Sequence, residues 1–189
     1  MKLRTPFAAI LGSTLSLAAC TYPNRLVANF DTITDTLNVY ALTGSPAAYP
    51  TALVTPAHTV VRADAGLTFD VAFDINGSGQ ALLYPFKLVV DPSSAVRQVG
   101  IRKMAVLFDS LKRAPNSGYN YDSVTVMTEG EVAVIQASRA IECQYDLSPI
   151  IYSKIVIDDI DVAARRIAFR ILVDPDCGFR DLVPGRPKS

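Results

Sequence analysis

The sequence predicts an all-β fold, a single antiparallel β-sandwich or barrel of roughly eight to ten strands. Apolar and polar side chains alternate with a period of two over most of the chain, and turn-forming residues interrupt this alternation at short intervals. The 170 residues that follow position 19 correspond to one domain by length. We expect this domain to span residues 31–183 and to be followed by an exposed tail at residues 184–189.

The clearest hairpin lies between residues 68 and 90. Residues 68–75 alternate, so that one face of the strand carries Phe69, Val71, Phe73 and Ile75. Residues 76–79 (Asn-Gly-Ser-Gly) tolerate positive φ and predict the turn. Residues 80–90 are apolar at both parities, which predicts a returning strand buried on both faces. Because proline cannot donate a ladder hydrogen bond, a bulge or bend is expected at Pro85.

Two further hairpins are predicted from alternation on both sides of a turn. Residues 123–136 turn at Glu129 and Gly130, and the residues expected to face the core are Val124, Val126, Val132 and Val134. Residues 154–173 form the other hairpin, and the inward residues of its second strand are Ile167, Phe169, Ile171 and Val173. The first strand of that hairpin changes parity midway, so we predict a β-bulge at Asp158 and Asp159.

The remaining segments carry weaker patterns. Residues 36–42 and 58–63 predict short strands, whereas residues 44–56 contain three prolines and predict a loop. Residues 96–111 fit either an alternating strand or an amphipathic helix. Because the surroundings are β, we predict a strand, with one short helix near residues 101–112 as the alternative.

The N-terminus combines a positive charge with a short apolar stretch. Lys2 and Arg4 precede residues 6–19, which carry no charge and are too few for a membrane-spanning helix of about 20 residues. The stretch ends in Leu17-Ala18-Ala19-Cys20, which resembles the lipobox of bacterial lipoproteins.

This resemblance implies a lipid anchor. Residues 1–19 would be a signal peptide, Cys20 the acylated first residue of the mature protein, and residues 20–30 a tether to the domain. Two or more acyl chains hold a protein firmly on a membrane. In such lipoproteins an aspartate directly after the cysteine retains the protein in the inner membrane. Because Thr21 occupies that position here, an outer-membrane location is favoured. The alternative is an ordinary secretory signal cut near Ala19, which would leave Cys20 as a free thiol.

Once Cys20 is acylated, Cys143 and Cys177 remain as an even pair. In an oxidising compartment we expect them to form a disulfide. The alternative, two reduced thiols serving a metal or a redox cycle, lacks a CxxC spacing and a neighbouring histidine.

Charge and composition limit the classes of ligand. Residues 1–19 carry two basic and no acidic residues, so their removal changes the formal net charge from 0 to −2. A nucleic-acid partner would require a basic face, so none is expected. Because His58 is the sole histidine and two thiols are paired, a transition-metal site lacks ligands, and we expect no cofactor.

Four patterns in the sequence could support chemistry or ligand binding. Asp158, Asp159 and Asp161 could supply the carboxylate pair of a glycoside hydrolase. Solvated acids opposite arginines of the returning strand are the simpler interpretation. Residues 74–79 begin like a calcium loop, but Pro85 stands where the twelfth residue must be acidic, so a plain turn is expected.

Histidine and tyrosine supply the other two patterns. A Ser-His-Asp site would require His58 with Asp64 or Asp70, and the chain contains no GxSxG elbow. We therefore expect an exposed histidine at a strand edge. Tyr119 and Tyr121 could stack on sugars or a partner, but covering the domain's own core is the preferred interpretation.

Together these features predict a lipid-anchored cell-envelope lipoprotein, facing the periplasm or the cell exterior. Its β-sandwich would bind an envelope protein or polysaccharide, or act structurally, without catalysis. The alternative is an envelope hydrolase that acts on polysaccharide through the acidic strand residues.

Overall fold

The computed structural model describes residues 27–66, 69–90, 97–146 and 148–187, and it confirms an all-β sandwich. This part of the chain forms ten strands: β1 (Ile33–Tyr40), β2 (Ala52–Val54), β3 (Thr59–Val61), β4 (Val71–Ile75), β5 (Ala81–Pro85), β6 (Val99–Met104), β7 (Thr125–Met127), β8 (Val132–Ser138), β9 (Ile150–Asp161) and β10 (Arg166–Asp174). The first sheet has the order β1-β10-β9-β8-β6 and the second β3-β2-β4-β5-β7. All pairings are antiparallel. The predicted signal peptide and Cys20 lie outside the described residues.

The hairpin around residues 76–79 is confirmed. β4 pairs with β5, and the Asn76 side-chain oxygen accepts hydrogen bonds from the backbone N–H of Ser78 at 3.0 Å and Gln80 at 2.9 Å. The expectation of a strand buried on both faces is wrong, because Leu82 and Tyr84 are only half-buried. The strand ends at Pro85 and continues as a 3₁₀ turn, Phe86–Leu88, which is the predicted bend.

The hairpin of β9 and β10 is confirmed together with its bulge. Ala168 pairs with Asp159 and Phe169 pairs with Ile157, so Asp158 is the extra residue on β9. This one extra residue therefore explains why the apolar positions of β9 change parity midway along the strand. On β10, the four residues predicted to point inward are buried between the sheets: Ile167, Phe169, Ile171 and Val173.

The hairpin predicted over residues 123–136 is wrong. β7 joins the second sheet beside β5, whereas β8 lies in the first sheet between β6 and β9. The turn at Glu129 and Gly130 exists, but it carries the chain from one sheet to the other. The parity of β7 is also reversed, since Thr125 and Met127 are buried and Val126 is exposed. Burial of Met127 between the sheets decides this orientation.

Three weaker segments are also resolved by the structure. Residues 44–56 are not wholly a loop, because β2 lies within them and pairs with both β3 and β4. The strand predicted for residues 36–42 begins earlier, at Ile33, and the one predicted for residues 58–63 is β3. Over residues 97–111 the strand alternative is correct for β6, and a 3₁₀ turn, Phe108–Ser110, follows it.

The main core lies between the two sheets. Phe73 on β4 stacks on Phe169 on β10 with ring centroids 5.2 Å apart, and Phe69 meets Phe86 edge-on at 5.1 Å. All four rings are fully buried. Each such side chain stabilises the fold by about 1.5–3 kcal/mol relative to exposure. This aromatic layer therefore fixes the two sheets face to face.

The sandwich has two distinct ends. At the end that we call the tether end, β1 and β9 begin and β10 ends, and residues 28–30 approach it from the N-terminal side. The opposite end, the turn end, carries the 76–79 turn and the connection between β9 and β10. Arg165, in that connection, donates hydrogen bonds to the Asp74 carboxylate and the Ile75 carbonyl and so joins the two turns. Among the described residues, no helix has the length and apolar character that crossing a membrane requires.

Candidate functional site

The outer face of the first sheet is covered rather than open. Residues 105–124, between β6 and β7, and the segment after β10 lie over β8, β9 and β10. They enclose a second apolar cluster, here called the outer-face cluster, composed of Phe108, Leu111, Ala114, Val132, Val134, Tyr152, Val156, Leu172 and Leu182. A charged residue within this cluster must find its partners there.

Lys154 is that residue. Its neighbour Ile155 faces the inter-sheet core, so alternation turns Lys154 towards the outer-face cluster, where it is almost fully buried. Its Nζ donates to the carbonyl oxygens of Phe108 at 2.6 Å and Leu111 at 2.9 Å, and lies 4.4 Å from the Phe108 ring centroid. Burial lowers the pKa of the Lys154 ammonium, and the nearby Asp109 carboxylate opposes this shift. The two hydrogen bonds hold the 3₁₀ turn against β9.

A second cation shares the Phe108 ring. The Arg170 guanidinium carbon lies 5.3 Å from the ring centroid. Arg170 also donates to the Asp158 carboxylate, from Nε at 3.0 and 3.1 Å and from Nη2 at 3.0 Å. These hydrogen bonds raise the pKa of Arg170. The bulge at Asp158 therefore places an acid opposite Arg170, and the pair lies beside the buried lysine.

These groups line an open cleft, here called the Lys154 cleft. It has a volume of about 350 Å³ and combines apolar walls from Phe108, Leu172 and Leu182 with the charged groups of Asp109, Lys154 and Arg170. A depression of about 330 Å³ shares Phe108, Asp109 and Arg170 with it and adds Asp158. Clefts with apolar walls and a few convergent polar groups are typical of small-molecule sites. One N–H of Lys154 remains after its two carbonyl bonds, so the cleft suits a ligand with an apolar body and an acceptor head.

The three acidic residues of β9 do not form one site. Asp158 pairs with Arg170, and Asp159 accepts a hydrogen bond from Arg166 at 3.3 Å. Asp161 instead accepts from the backbone N–H of Ala164 at 2.8 Å and so stabilises the turn to β10. Cross-strand pairing with arginines, the simpler interpretation of the sequence, therefore describes Asp158 and Asp159.

The residues of the calcium-like pattern have partners within the protein. The Asp74 carboxylate accepts hydrogen bonds from the Thr43 hydroxyl at 2.9 and 3.0 Å and from Arg165 at 2.7 Å. The Asn76 side-chain oxygen closes the turn by accepting from the backbone N–H groups of Ser78 and Gln80. Both oxygen-bearing groups therefore serve to join the 76–79 turn to its neighbours at the turn end.

The structure separates the remaining candidates from one another. His58 has a positive φ of 39° and lies in the turn before β3, with Nδ1 3.3 Å from the Asp35 carboxylate. Asp64 pairs with Arg62, and Asp70 pairs with Arg139. Tyr119 packs on the outer-face cluster, its hydroxyl donates to the Pro115 carbonyl at 2.9 Å, and burial raises its pKa. The core-covering interpretation is therefore correct for this tyrosine.

The hydroxyl of Tyr121 hydrogen-bonds the Gln136 side chain on β8. Tyr121 also lies close to Gly100 on β6, where a Cβ would come within 2.5 Å of its ring. The close approach of this ring requires a glycine at that position.

A disulfide joins Cys143 to Cys177, with Cα atoms 5.8 Å apart. It lies at the tether end, after the last strand. There Asp174 is fully buried, its Oδ1 accepts from the backbone N–H of Asp176 at 3.1 Å, and burial raises its pKa to about 7. The Asp176 carboxylate accepts from the backbone N–H groups of Asn29 at 2.8 Å and Phe30 at 3.1 Å. The final residues before the domain thus dock beside the disulfide.

Sequence reasoning did not predict the burial of several charged residues, among them Lys154 and Asp70. Lys154 is the lone charged residue in the run of residues 150–157, and such an isolated charge was a usable signal. Asp70 is fully buried and accepts from Arg139 and from the Thr55 backbone N–H at 2.7 Å. Its acidic character gave no signal of burial, because alternation alone places an aspartate on a polar face.

Comparisons with known proteins add no relative: no family model matches the chain, and neither a curated protein nor a solved structure matches it.

Proposed function

We propose that this protein is a lipid-anchored lipoprotein of the bacterial cell envelope whose β-sandwich acts by binding and not by catalysis. The tetrapeptide that ends in Cys20 supports the anchor, because it supplies a nucleophilic cysteine directly after small residues. The disulfide is consistent with an oxidising compartment. The partner is an envelope component, held at high local concentration by the tether.

The observation that carries the binding role is the buried ammonium of Lys154 at an open cleft. Burying a charge inside an apolar cluster requires free energy for desolvation. The hydrogen bonds to two backbone carbonyls compensate only part of this desolvation free energy. A ligand acceptor that reached the remaining N–H would add the missing partner. The apolar walls then favour a ligand with a hydrocarbon or aromatic body, such as an acyl or aryl acid.

Arg170 and Arg166 provide a matched test of this binding site. Both lie on β10 and both pair with an aspartate of β9, but only Arg170 lines the Lys154 cleft. We expect lipid and small-acid fractions of an envelope extract to bind the purified protein, and we expect Arg170→Gln to weaken this binding while Arg166→Gln does not. Equal binding by wild type and both variants would place the ligand elsewhere.

The anchor has its own test. Mass spectrometry of the mature protein is expected to find an acylated Cys20 at the N-terminus, and Cys20→Ser is expected to move the protein from the membrane to the soluble fraction. Thr21→Ser is the control and should remain on the membrane. A Cys20→Ser protein that stays firmly membrane-bound would refute the lipid anchor.

A polysaccharide hydrolase is the second candidate, on one observation. Asp109 and Asp158 both line the depression next to the Lys154 cleft, and paired carboxylates are the machinery of glycoside hydrolysis. Pairing of Asp158 with Arg170 argues against a catalytic role, because both carboxylate oxygens already accept hydrogen bonds from the guanidinium. Turnover of an envelope glycan by the purified protein, abolished by both Asp109→Asn and Asp158→Asn, would favour the hydrolase and overturn the binding proposal.

A further inference from the structure

The most exposed apolar side chains are concentrated at the tether end. Among the described residues, the five large hydrophobic residues with the highest exposure are Tyr145 (92 %), Ile141 (81 %), Val27 (77 %), Leu107 (75 %) and Phe30 (60 %). All except Leu107 belong to the N-terminal approach or to the loop after β8. Single exposed hydrophobic residues need no explanation, but a concentration at one end does.

These residues are held together by a continuous set of contacts. The Asp176 carboxylate accepts hydrogen bonds from Asn29 and Phe30, and the adjacent Cys177 is bonded to Cys143. Ile141 and Tyr145 each lie two residues from Cys143 in a turn, in which the Cys143 N–H donates to the Arg139 carbonyl at 2.8 Å. The disulfide therefore fixes the two most exposed apolar side chains next to the point where the tether reaches the domain.

The length of the tether limits where this end can be. Six residues lie between Cys20 and Val27. The seven residue steps that join these two positions span at most about 25 Å even when the chain is fully extended. Ala28 is buried and residues 29 and 30 are hydrogen-bonded to the domain, so no further slack is available after Val27. A lipid-modified Cys20 would therefore keep the tether end next to the bilayer.

We infer that the tether end is a membrane-contact surface, on which Ile141 and Tyr145 enter the interfacial region of the phospholipid bilayer. This inference rests on the proposed lipid anchor and adds to it a fixed orientation, with the turn end pointing away from the membrane. Tyrosine is enriched at membrane interfaces because its ring is apolar and its hydroxyl remains hydrated. Transfer of an exposed isoleucine side chain from water into this interfacial layer is also favourable, because it buries apolar surface.

Local charge indicates that the contact is apolar and not electrostatic. Arg139 is buried and paired with Asp70 and with Glu142, which accepts its hydrogen bond at 3.2 Å. Asp146 is exposed beside Tyr145. A loop of this composition offers no basic cluster to anionic headgroups, so its contact with the bilayer should not require anionic lipid.

The absence of tryptophan from the chain allows a direct test. Tyr145→Trp introduces a single fluorescent reporter at the tether end, and Val162→Trp introduces the matched control in the exposed turn between β9 and β10. Ile141→Trp serves as a second reporter should Tyr145→Trp fold poorly. Each variant is expressed from the full-length chain, purified in detergent and reconstituted into phosphatidylcholine vesicles with brominated acyl chains, with and without anionic phosphatidylglycerol.

The expected result is a shift of the Tyr145→Trp emission to shorter wavelength and strong quenching by brominated lipid, with neither effect at Val162→Trp. Flotation of the vesicles reports the anchor separately. Protein that floats but shows no quenching at either tether-end reporter would overturn the membrane contact and leave the anchor intact. Equal quenching at both ends, or quenching only with anionic lipid, would also overturn it. Protein that fails to float would refute the anchor and the inference together.

Discussion

The disulfide between Cys143 and Cys177 provides the sharpest test of how the tether end is stabilised. The two cysteines are separated by 34 positions. A cross-link that closes a loop of this length lowers the conformational entropy of the unfolded chain by an amount equivalent to about 4 kcal/mol at 25 °C. Reduction should lower the free energy of unfolding by up to this value. With a urea dependence of about 2 kcal/mol per molar, the unfolding midpoint should fall by about 2 M.

The assay is urea unfolding of the oxidised and reduced protein, followed by circular dichroism. A double variant, Cys143→Ala with Cys177→Ala, is the control: it should unfold at the midpoint of the reduced protein and should not respond to reductant. Both cysteines are buried, so alanine avoids introducing an unsatisfied hydroxyl. An unchanged midpoint on reduction would refute the reasoning, because the loop after β8 would then be fixed by its packing alone.

Three further predictions concern buried or closely packed positions of the fold. Gly100→Ala should lower the free energy of unfolding in urea by about 1–3 kcal/mol, because the added Cβ would lie 2.5–2.9 Å from Tyr119 and Tyr121. Gly77→Ala is the control and should leave stability unchanged, because no atom lies within 4 Å of its Cβ position. Equal effects of the two substitutions would contradict this prediction. Asp70→Asn should lower the free energy of unfolding by roughly 3–5 kcal/mol, because buried Arg139 then keeps only the exposed Glu142 as a counter-charge. The exposed Asp64→Asn should not alter the unfolding midpoint. Asp174 has a folded-state pKa of about 7, above its unfolded value, so its stabilising contribution is full below about pH 4 and is lost as pH rises through 7. Asp174→Asn should therefore remove a fall in stability of up to about 4 kcal/mol over this range, and an unchanged pH profile would exclude this role.

Several local features of the fold could be predicted from the sequence. Alternation is a property of consecutive residues, so the inward face of β10 and the bulge at Asp158 followed from reading parity alone. The turn at residues 76–79 followed from its Asn-Gly chemistry in the same way. For residues 123–136 this reasoning was insufficient, because alternation does not specify the sheet to which a strand belongs.

The candidate site depended on contacts between distant segments. The sequence indicated that Asp158 faces an arginine of the returning strand, since the two lie in one hairpin. It did not indicate the Lys154 cleft. The hydrogen-bond partners of Lys154 are the carbonyls of Phe108 and Leu111, 46 and 43 positions away, and no local pattern specifies that their segment lies over the first sheet. Tyr119 was correctly expected to cover a core, but not the core on the outer face.

By itself the sequence determined the β class, the β4–β5 and β9–β10 hairpins and the two cysteines that pair. Only the tertiary structure decided which sheet each strand joins and which charges are buried, as for Asp70, whose partner Arg139 lies 69 positions away. The physical reason is that side-chain alternation is set by neighbouring residues, whereas the free energy of burying a charge depends on the partners that distant segments bring to it.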